Sequence, residues 1–586
     1  MPHLHRMKPR KSIASKEVPS MKQHYVMPVG VDDFKRVREE YYYVDKTDFI
    51  KTMIDGHSQA TLITRPRRFG KTLAMSMLYY FFNLRDKEEN RHLFEGCAIE
   101  KAGDRYMQMQ GSKPVIFLSL KDIKERDFPG MLANFGEVMK NLYYDYRFLL
   151  DGDTLLPSEK EVYHAILSLN ADKTRLQFSL KNLSDYLFRY YKKPVLILID
   201  EYDAPIQYAW DNDYYDDAIT FLRNYLSSVL KSNPCLDFAV ITGVLRIAKE
   251  SIFSSLNNLK VSSVSTGGFA DVAGFSEAEM KRIASDLGCP DKFEEIKNWY
   301  DGYNFSGKEI YNPWSVISYF ENERTPGAYW VNTSGNTILR HMLKHATPRQ
   351  TKELVSLLHG GKIRTSLDES IIYNEIYKNS DALYSMLLTT GYLTMVDYPD
   401  YTEDDFRCTM RIPNREIRVL FKREVMSHLK SLGPDSQLLG DLIDSLLSGD
   451  TETFNESLNT FLMLMASFYD TANRESFYHG LVLGLLATLI PRYEVASNRE
   501  SGYGRFDIAI FPVKGQKVGV ILEFKVAEHE SDMESKAREA LVQIEEKNYL
   551  AEFHQRNIPT IWQYGISFWG KKCHIMEKTN ASLVFP

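Results

Sequence analysis

The stretch TLITRPRRFGKTLAMSMLYYFF, from Thr61 to Phe82, decides the fold. With Ala60 before it, it reads as a short apolar strand (ATLIT), a loop, and the helix TLAMSMLYYFF. A phosphate-binding loop has the pattern G-x-x-x-x-G-K-[ST] between a strand and a helix. The octet here is Arg65-Pro66-Arg67-Arg68-Phe69-Gly70-Lys71-Thr72, with arginine where the first glycine belongs. The positions differ in weight. Gly70, Lys71 and Thr72 open the helix, where free backbone N–H groups and the helix dipole attract phosphate. Lys71 is placed to reach β- and γ-phosphate oxygens, and Thr72 to ligate Mg2+. The first glycine mainly eases the turn, and three loop arginines add charge that favours phosphate. A chance G-K-T at a helix start is the competing explanation, so the loop needs a second half.

That half lies in the runs that follow. PVIFLSL (Pro114 to Leu120), PVLILID (Pro194 to Asp200), DFAVITGV (Asp237 to Val244) and the shorter KVSSVS from Lys260 are apolar and separated by helical stretches. This is the pattern of buried parallel strands in an α/β domain. PVLILID ends in Asp200-Glu201. An acid at such a strand end helps hold Mg2+, and the next glutamate polarises an attacking water; a pair that only caps the following turn looks the same. Thr242 and Arg246, at the end of the next strand, are candidates for sensing the γ-phosphate and stabilising transferred charge, or for a plain arginine–carboxylate pair. The conjunction of G-K-T and D-E predicts an ATP site with Mg2+. In the segment YYYVDKTDFI, Asp45 and Lys46 are expected to line the pocket with Tyr43 near the base, against the alternative of a tyrosine-rich packing surface.

Composition sets the frame. The 586 residues are 44% hydrophobic and 26% charged, ordinary for a globular chain with sizeable cores. The net charge of -6 means that any nucleic-acid surface has to be a local patch; Arg492, Arg499, Arg505 and Lys525 are candidates. The five cysteines form no C-x-x-C pair, which argues against a zinc cage or a disulfide framework and points to a reducing cytoplasm. No apolar run reaches membrane-spanning length. The first residues are basic without an apolar stretch, so residues 1–22 are expected to be a disordered tail, not a secretory signal.

Beyond the first α/β unit (23–275) the texture changes. SEAEMKRIASDLG is an amphipathic helix opened by Ser276 and closed by Gly288, followed by the Tyr/Trp/Asn-rich WYDGYNFSGKEIYNPWSVISYF; together these predict a helical lid over 276–345. Residues 346–470 read as mostly helical, with short strands near GYLTMVDY and FRCTMRIPN, either a winged-helix-like element or a plain spacer.

From 471 the pattern returns to mixed α/β. GRFDIAIFP places Asp507 at a short strand, and KVGVILEFKVA carries Glu523 and Lys525 on the next. Residues two apart on a strand share a face, and Asp507 can meet them from the neighbouring strand. Carboxylates converging beside apolar neighbours need compensation; an oxygen-ligated Mg2+ or Mn2+ supplies it. Such an ion acidifies a bound water while Lys525 orients it, which is phosphodiester-cleaving chemistry. An ion-paired hairpin face is the alternative. Glu475, four residues before His479 on the preceding helix, is a further metal candidate or a helix N-terminal charge. His479 reads better as a polar core residue. Gln543, on the helix that follows, contacts a nucleotide or simply packs.

PVGVDDF, YYYVDKTDFI, RPRRFGKTL, LIDEYDAPI, TGVLRIAKESIFSSLNNL, WYDGYNF and YNPWSV together resemble the bacterial AAA-ATPase-like family, and the helix–strand–strand–strand–helix–strand order around D…E-x-K resembles the PD-(D/E)XK nuclease superfamily. Phe506 stands where the eponymous proline would be. The resemblance implies an α/β multidomain chain: an ASCE/AAA-like P-loop parallel sheet, the helical middle module, and a restriction-endonuclease-like domain over 471–586. It also implies that the arginine-rich loop is the family's own form, with Arg67, Arg68 and Phe69 joining Gly70, Lys71 and Thr72 around the nucleotide. The expected activity is an ATP-regulated, Mg2+-dependent nuclease acting on DNA rather than RNA, with self-assembly left open and no membrane partner. The rival is a non-catalytic ATP-dependent switch whose nuclease-like domain only binds nucleic acid or a protein.

Overall fold

The computed structural model describes residues 26–247, 258–266, 268–330, 339–340, 348–358, 360–367, 380–397, 400–402, 405–432, 436–465, 475–486, 489, 492–513 and 515–581. The expected tail over 1–22 lies outside them.

Each apolar run of the first half becomes a strand. β1 (Ala60–Thr64), β2 (Val115–Ser119), β3 (Val195–Asp200), β4 (Leu236–Gly243) and β5 (Leu259–Ser262) form one parallel sheet in the order β2-β3-β4-β1-β5. β1 and β3 are buried along their whole length, as continuous apolar runs require when helices cover both faces. Alternate residues feed two cores. Leu62, Ile116, Ile197 and Ile241 enter one, and Ile63, Val115, Leu198 and Val240 the other. This order puts β4 between the phosphate-loop strand and the acid-bearing strand, so the carboxyl ends of β1, β4 and β3 open side by side. Helix α1 (Lys71–Phe82) leaves the loop at Gly70, whose φ of 88° an L side chain rarely adopts.

The described part of the segment expected to be a helical lid combines helices with a β-hairpin. Helix α2 (Glu277–Asp286) starts with a capping box in which Ser276 and Glu279 satisfy each other's backbone N–H groups. A hairpin of β6 (Tyr303–Phe305) and β7 (Lys308–Ile310) leads to helix α3 (Pro313–Glu321), capped by Asn312. Val44, Phe275, Met280, Ile283, Tyr300 and Tyr319 knit these elements together.

The middle module holds more strand than expected. Besides the two foreseen segments, which become β9 (Thr394–Met395) and β11 (Asp405–Arg411), there are β8 (Ile363–Ser366) and β10 (Asp400–Thr402). They form a sheet β10-β11-β8 with β9 paired to β11, flanked by helices α4 (Pro348–Leu358) and α5 (Arg415–Leu432). Its apolar residues Leu383, Tyr392, Met410 and Phe421 belong to the same buried cluster as Phe69, Tyr303 and Leu62.

The last unit is a sheet of order β12-β15-β16-β17-β18, comprising β12 (Tyr493–Ser497), β15 (Ile508–Pro512), β16 (Val518–Val526), β17 (Thr560–Trp569) and β18 (Lys572–Ala581). A small hairpin of β13 (Glu500–Ser501) and β14 (Gly504–Arg505) interrupts the run. Only β16 and β17 run parallel within this sheet. Helices α6 (Ser436–Ser448), α7 (Thr451–Met465) and α8 (Glu475–Leu486) cover one face through Leu442, Phe454 and Leu485. Helix α9 (Met533–Glu546) covers the other through Ile544. The order α8, β12, β15, β16, α9, β17 is the predicted one. Helix α4 packs against α8, joining this unit to the middle module. Among the described residues no helix is long and apolar enough to cross a membrane. All five cysteines are free and buried.

Candidate active sites

The loop after β1 separates its three arginines. Arg65 is fully buried and turns into the sheet, not towards the helix N-terminus. Its Nη1 donates to the carbonyls of Thr64 (2.8 Å) and Ser262 (3.1 Å) and its Nη2 to Ser262 Oγ (3.1 Å), tying β1 to β5. The expectation that all three arginines favour phosphate is corrected at this position: Arg65 is a strut. Arg67 is exposed and donates to Gln207 Oε1 (2.7 Å). Arg68 holds a φ of 65° and lies with its guanidinium carbon 3.8 Å from the Trp314 ring centroid. Burial, and then Arg67, pull its pKa below the usual arginine value. Phe69 is fully buried against Tyr303 and Phe305, so only its backbone is available to a ligand.

Lys71 sits under the loop and donates to the carbonyls of Arg65 (3.0 Å) and Pro66 (2.9 Å). Burial lowers its pKa, while Glu201, Asp200 and Asp203 push it back up. Thr72 Oγ1 donates to Asp200 Oδ2 at 2.7 Å, and Thr242 Oγ1 donates to Asp200 Oδ1. The sheet order makes this possible, since it brings the ends of β3 and β4 beside the start of α1. Glu201 follows in the left-handed region (φ 51°), and burial raises its pKa against the pull of Lys71. Asp203 takes a part that the sequence did not reveal. Its Oδ2 accepts the amides of Val244 and Leu245, both at 2.9 Å, clamping the end of β4. Gly243 allows the approach, because a Cβ there would meet Asp203 Oδ1 at 2.7 Å.

A cavity of about 400 Å3 opens at Gly70, Lys71, Thr72 and Glu201 and runs to an apolar end at Val31, Tyr43, Phe275 and Ile283. Arg68, Phe69 and Trp314 also line it. A charged mouth at a helix N-terminus and an apolar, aromatic far end suit a nucleotide. Lys46 lines the cavity too, donating to Glu279 Oε2 at 2.7 Å and so latching the N-terminal segment to the lid. Asp45 does not line it; its carboxylate accepts from the Thr47 and Ala98 amides. Arg246 lies beyond the end of β4 and outside the lining. Gly30, Val31 and Trp314 were missed as site residues, although PVGVDDF and YNPWSV had marked both segments.

A buried carboxylate ties this site to the middle module. Trp330 Nε1 donates to the Arg67 carbonyl (3.0 Å), and its backbone N–H donates to Glu416 Oε1 (2.7 Å). Ser315 Oγ donates to Glu416 Oε2 (2.7 Å). Burial raises the Glu416 pKa to about 7, offset in part by the Ser315 hydroxyl and the amides of Trp330 and Tyr329.

At the carboxyl-terminal site, the register β15–β16 pairs Ile508 with Leu522, so Asp507 stands opposite Glu523. Asp507 N–H donates to Glu523 Oε2 (3.3 Å), and Asp507 Oδ2 accepts the Phe524 amide (2.7 Å). Lys525 Nζ lies 3.7 Å from Glu523 Oε1, which also accepts from Gln543 Nε2. Gln543 in turn reaches the Tyr549 hydroxyl at 3.3 Å, whose pKa is raised by burial and by both carboxylates. His479 is a buried support: its Nε2 lies 3.0 Å from the Asp507 carbonyl and 3.2 Å from Ser497 Oγ. Glu475 opens α8, but its side chain lies outside the described residues. Among the described residues no three His, Cys, Asp or Glu side chains gather as a metal-holding group. The Asp507–Glu523 pair alone offers hard oxygen donors, and these suit Mg2+ or Mn2+.

The first sheet carries a G-K-T loop beside Asp200 and the last sheet carries the Asp507–Glu523 pair. Comparison with known families agrees: residues 28–253 match the family described as predicted AAA-ATPase, and residues 473–578 match the PD-(D/E)XK nuclease superfamily. The chain therefore carries an AAA-ATPase-like domain and a C-terminal PD-(D/E)XK nuclease superfamily domain. It is also 25% identical over 556 residues to an uncharacterized protein in the vnfD 5' region of Azotobacter chroococcum mcd 1, an alignment spanning 92% of this chain and 96% of the relative.

Proposed function

We propose that the amino-terminal domain binds and hydrolyses ATP with Mg2+, and that this cycle controls Mg2+- or Mn2+-dependent cleavage of DNA phosphodiester bonds by the carboxyl-terminal domain in the bacterial cytoplasm. The observation that carries the reading is the convergence of Lys71, Thr72 and Glu201 at the mouth of one cavity, with Asp200 bonded to Thr72 behind them, and of Asp507, Glu523 and Lys525 on a second sheet.

In the first site, the N-terminal amides of α1 receive the phosphates. Lys71 exchanges two loop carbonyls for phosphate oxygens, and the exposed Arg67 and the stacked Arg68 add charge. Thr72 and Asp200 would supply oxygen donors to Mg2+, with Thr242 fixing the carboxylate. Glu201, its pKa raised by burial, orients and deprotonates the attacking water. Arg246, just beyond the end of β4, is the candidate for stabilising transferred charge. In the second site Asp507 and Glu523 would hold the ion, which would supply Lewis-acid activation of a water. Lys525 steadies that water and the developing negative charge, and His479 keeps the Asp507 backbone in place.

The second reading, a switch whose nuclease-like domain binds without cutting, draws on the hydrogen bonds that already engage Glu523 and on the two-carboxylate donor set. One experiment separates the two. Purified protein is incubated with plasmid, linear and single-stranded DNA, with and without Mg2+ and ATP. Asp507→Ala is expected to lower cleavage by about 100-fold or more while ATP turnover persists. Lys71→Ala is expected to weaken nucleotide binding about 10- to 100-fold and to remove the ATP dependence of cleavage. Cleavage that survives Asp507→Ala removes the proposed metal centre.

A further inference from the structure

We propose that Tyr503, at the tip of the β13–β14 hairpin, is the platform on which an unpaired base of the DNA strand stacks beside the Asp507–Glu523 pair. The inference rests on the reading of the carboxyl-terminal domain as a DNA-cleaving unit and adds the form of its substrate: single-stranded DNA in preference to continuous duplex.

The hairpin turns in two residues. Ser501 pairs with Gly504, so Gly502 and Tyr503 are its whole loop. Gly502 supplies the positive φ (57°) that the first position of such a turn takes. It also lies against the chain after α9, where a Cβ would run into the carbonyls of Lys547 and Asn548. No comparable constraint asks for an aromatic at the second position. Tyr503 stays outside the left-handed region, and small polar residues serve a turn there as well. Its side chain is 81% exposed, the most of any large apolar side chain among the described residues.

The tip is tied to the segment that holds the site. Tyr503 N–H donates to the Lys547 carbonyl (2.8 Å) and Ser501 Oγ to the Tyr549 carbonyl (3.2 Å). Gly504 approaches Tyr549 so closely that a Cβ would stand 3.0 Å from its hydroxyl. That hydroxyl lies 3.3 Å from Gln543 Nε2, which also donates to Glu523 Oε1. Tyr549 and Gln543 therefore bridge the hairpin to one carboxylate. The chain itself bridges it to the other, since Tyr503 precedes Asp507 by four residues. That separation is at most about 14 Å, or about four stacked bases at ~3.4 Å each.

Charge around the hairpin is already matched. Arg499 and Arg556 both pair with Glu494 and Glu552, and Arg505, on the hairpin, pairs with Glu500. The patch expected of Arg499 and Arg505 is corrected accordingly: carboxylates engage both. A surface balanced in this way attracts phosphate weakly. An exposed aromatic face supplies attraction of another kind, because every base has a π-face and stacking on one raises affinity about 5- to 100-fold. In a duplex those faces are stacked on each other, and reaching one means opening a step. An unpaired strand offers them at no such cost.

The test titrates the full chain, in Ca2+ and again in EDTA, with a labelled mixed-sequence single strand of about 12 nucleotides, read by fluorescence anisotropy across a salt series. Tyr503→Ala is expected to bind about tenfold more weakly. Its salt slope should match wild type, since no phosphate contact is lost. Tyr503→Phe keeps the ring and should keep the affinity. On a strand of the same length without bases, wild type and Tyr503→Ala should bind alike. Thermal melting checks that each variant folds. Wild-type affinity in folded Tyr503→Ala overturns the platform, and so does an equal loss on the abasic strand or on a blunt duplex. Wild-type protein that binds no DNA in either condition instead removes the functional reading on which the platform depends.

Discussion

Arg65 shows how far a residue's motif position can mislead about its work. In the octet it occupies the first-glycine slot and looks like part of a phosphate cradle. In the fold it is a buried tie between neighbouring strands, donating to Thr64 and Ser262. Arg65→Ala removes the buried donor to the Thr64 and Ser262 carbonyls and is expected to destabilise the protein by about 2–4 kcal/mol. Nucleotide affinity per folded molecule should change little, because the helix N-terminus and Lys71 remain. Urea melts paired with nucleotide titration check this, and an affinity loss without a stability loss would return Arg65 to the cradle. The other site residues were legible from local chemistry. G-K-T, D-E and D…E-x-K each combine a residue type with a spacing that only a few purposes require, and the structure brings Lys71, Thr72, Asp200 and Thr242 together, as it does Asp507, Glu523 and Lys525. Asp203, Trp314 and Glu416 were not legible, because each acts on atoms far away in the chain and no local pattern announces that.

Among the elements, strands were the easiest to foresee. Continuous apolar runs bounded by turns left β1 to β5 little choice, and the D…E-x-K hairpin fixed β15 and β16. Strands β8 and β10 escaped notice because they are short and polar, and their pairing with β11 supplies what their own residues do not. Helix α2 was foreseen from its amphipathic spacing between Ser276 and Gly288, and the structure adds the capping box. It also lies at the apolar end of the cavity, with Ile283 in the lining and Glu279 bound to Lys46. Ser276→Ala removes the cap and is expected to cost about 1 kcal/mol. A fraying lid loosens the nucleotide, so KM for ATP should rise severalfold with kcat nearly unchanged. An unaltered KM in steady-state ATPase assays would show that the cap does not govern the lid.

Across the whole molecule, Glu416 has the widest reach, since it joins α5, the Trp330 segment and α3 beneath the phosphate loop. Its pKa, raised by burial to about 7, makes the fold sensitive to pH in a defined direction. An unfolded glutamate loses its proton near 4.5, whereas the folded one keeps it to about 7. Between those values the native state binds more protons, so stability falls as pH rises and levels off above about 7. The full span amounts to about 3 kcal/mol. Glu416→Gln mimics the protonated form and should lack this component, so thermal midpoints of the two proteins should diverge from pH 5 to about pH 7 and keep a nearly constant gap above it. Parallel curves would place the charge of Glu416 outside the stability balance.

The shared cluster running from Leu62 through Phe69 and Tyr303 to Met410 and Phe421 has a practical corollary. A fragment cut after the fifth strand would expose one side of the phosphate loop's aromatic anchor, and such bare apolar surface drives aggregation. Excising the amino-terminal half at the boundary suggested by its sequence motifs is therefore the wrong way to obtain it. An expressible piece has to extend through the helix that bears Phe421, and limited proteolysis should release nothing shorter.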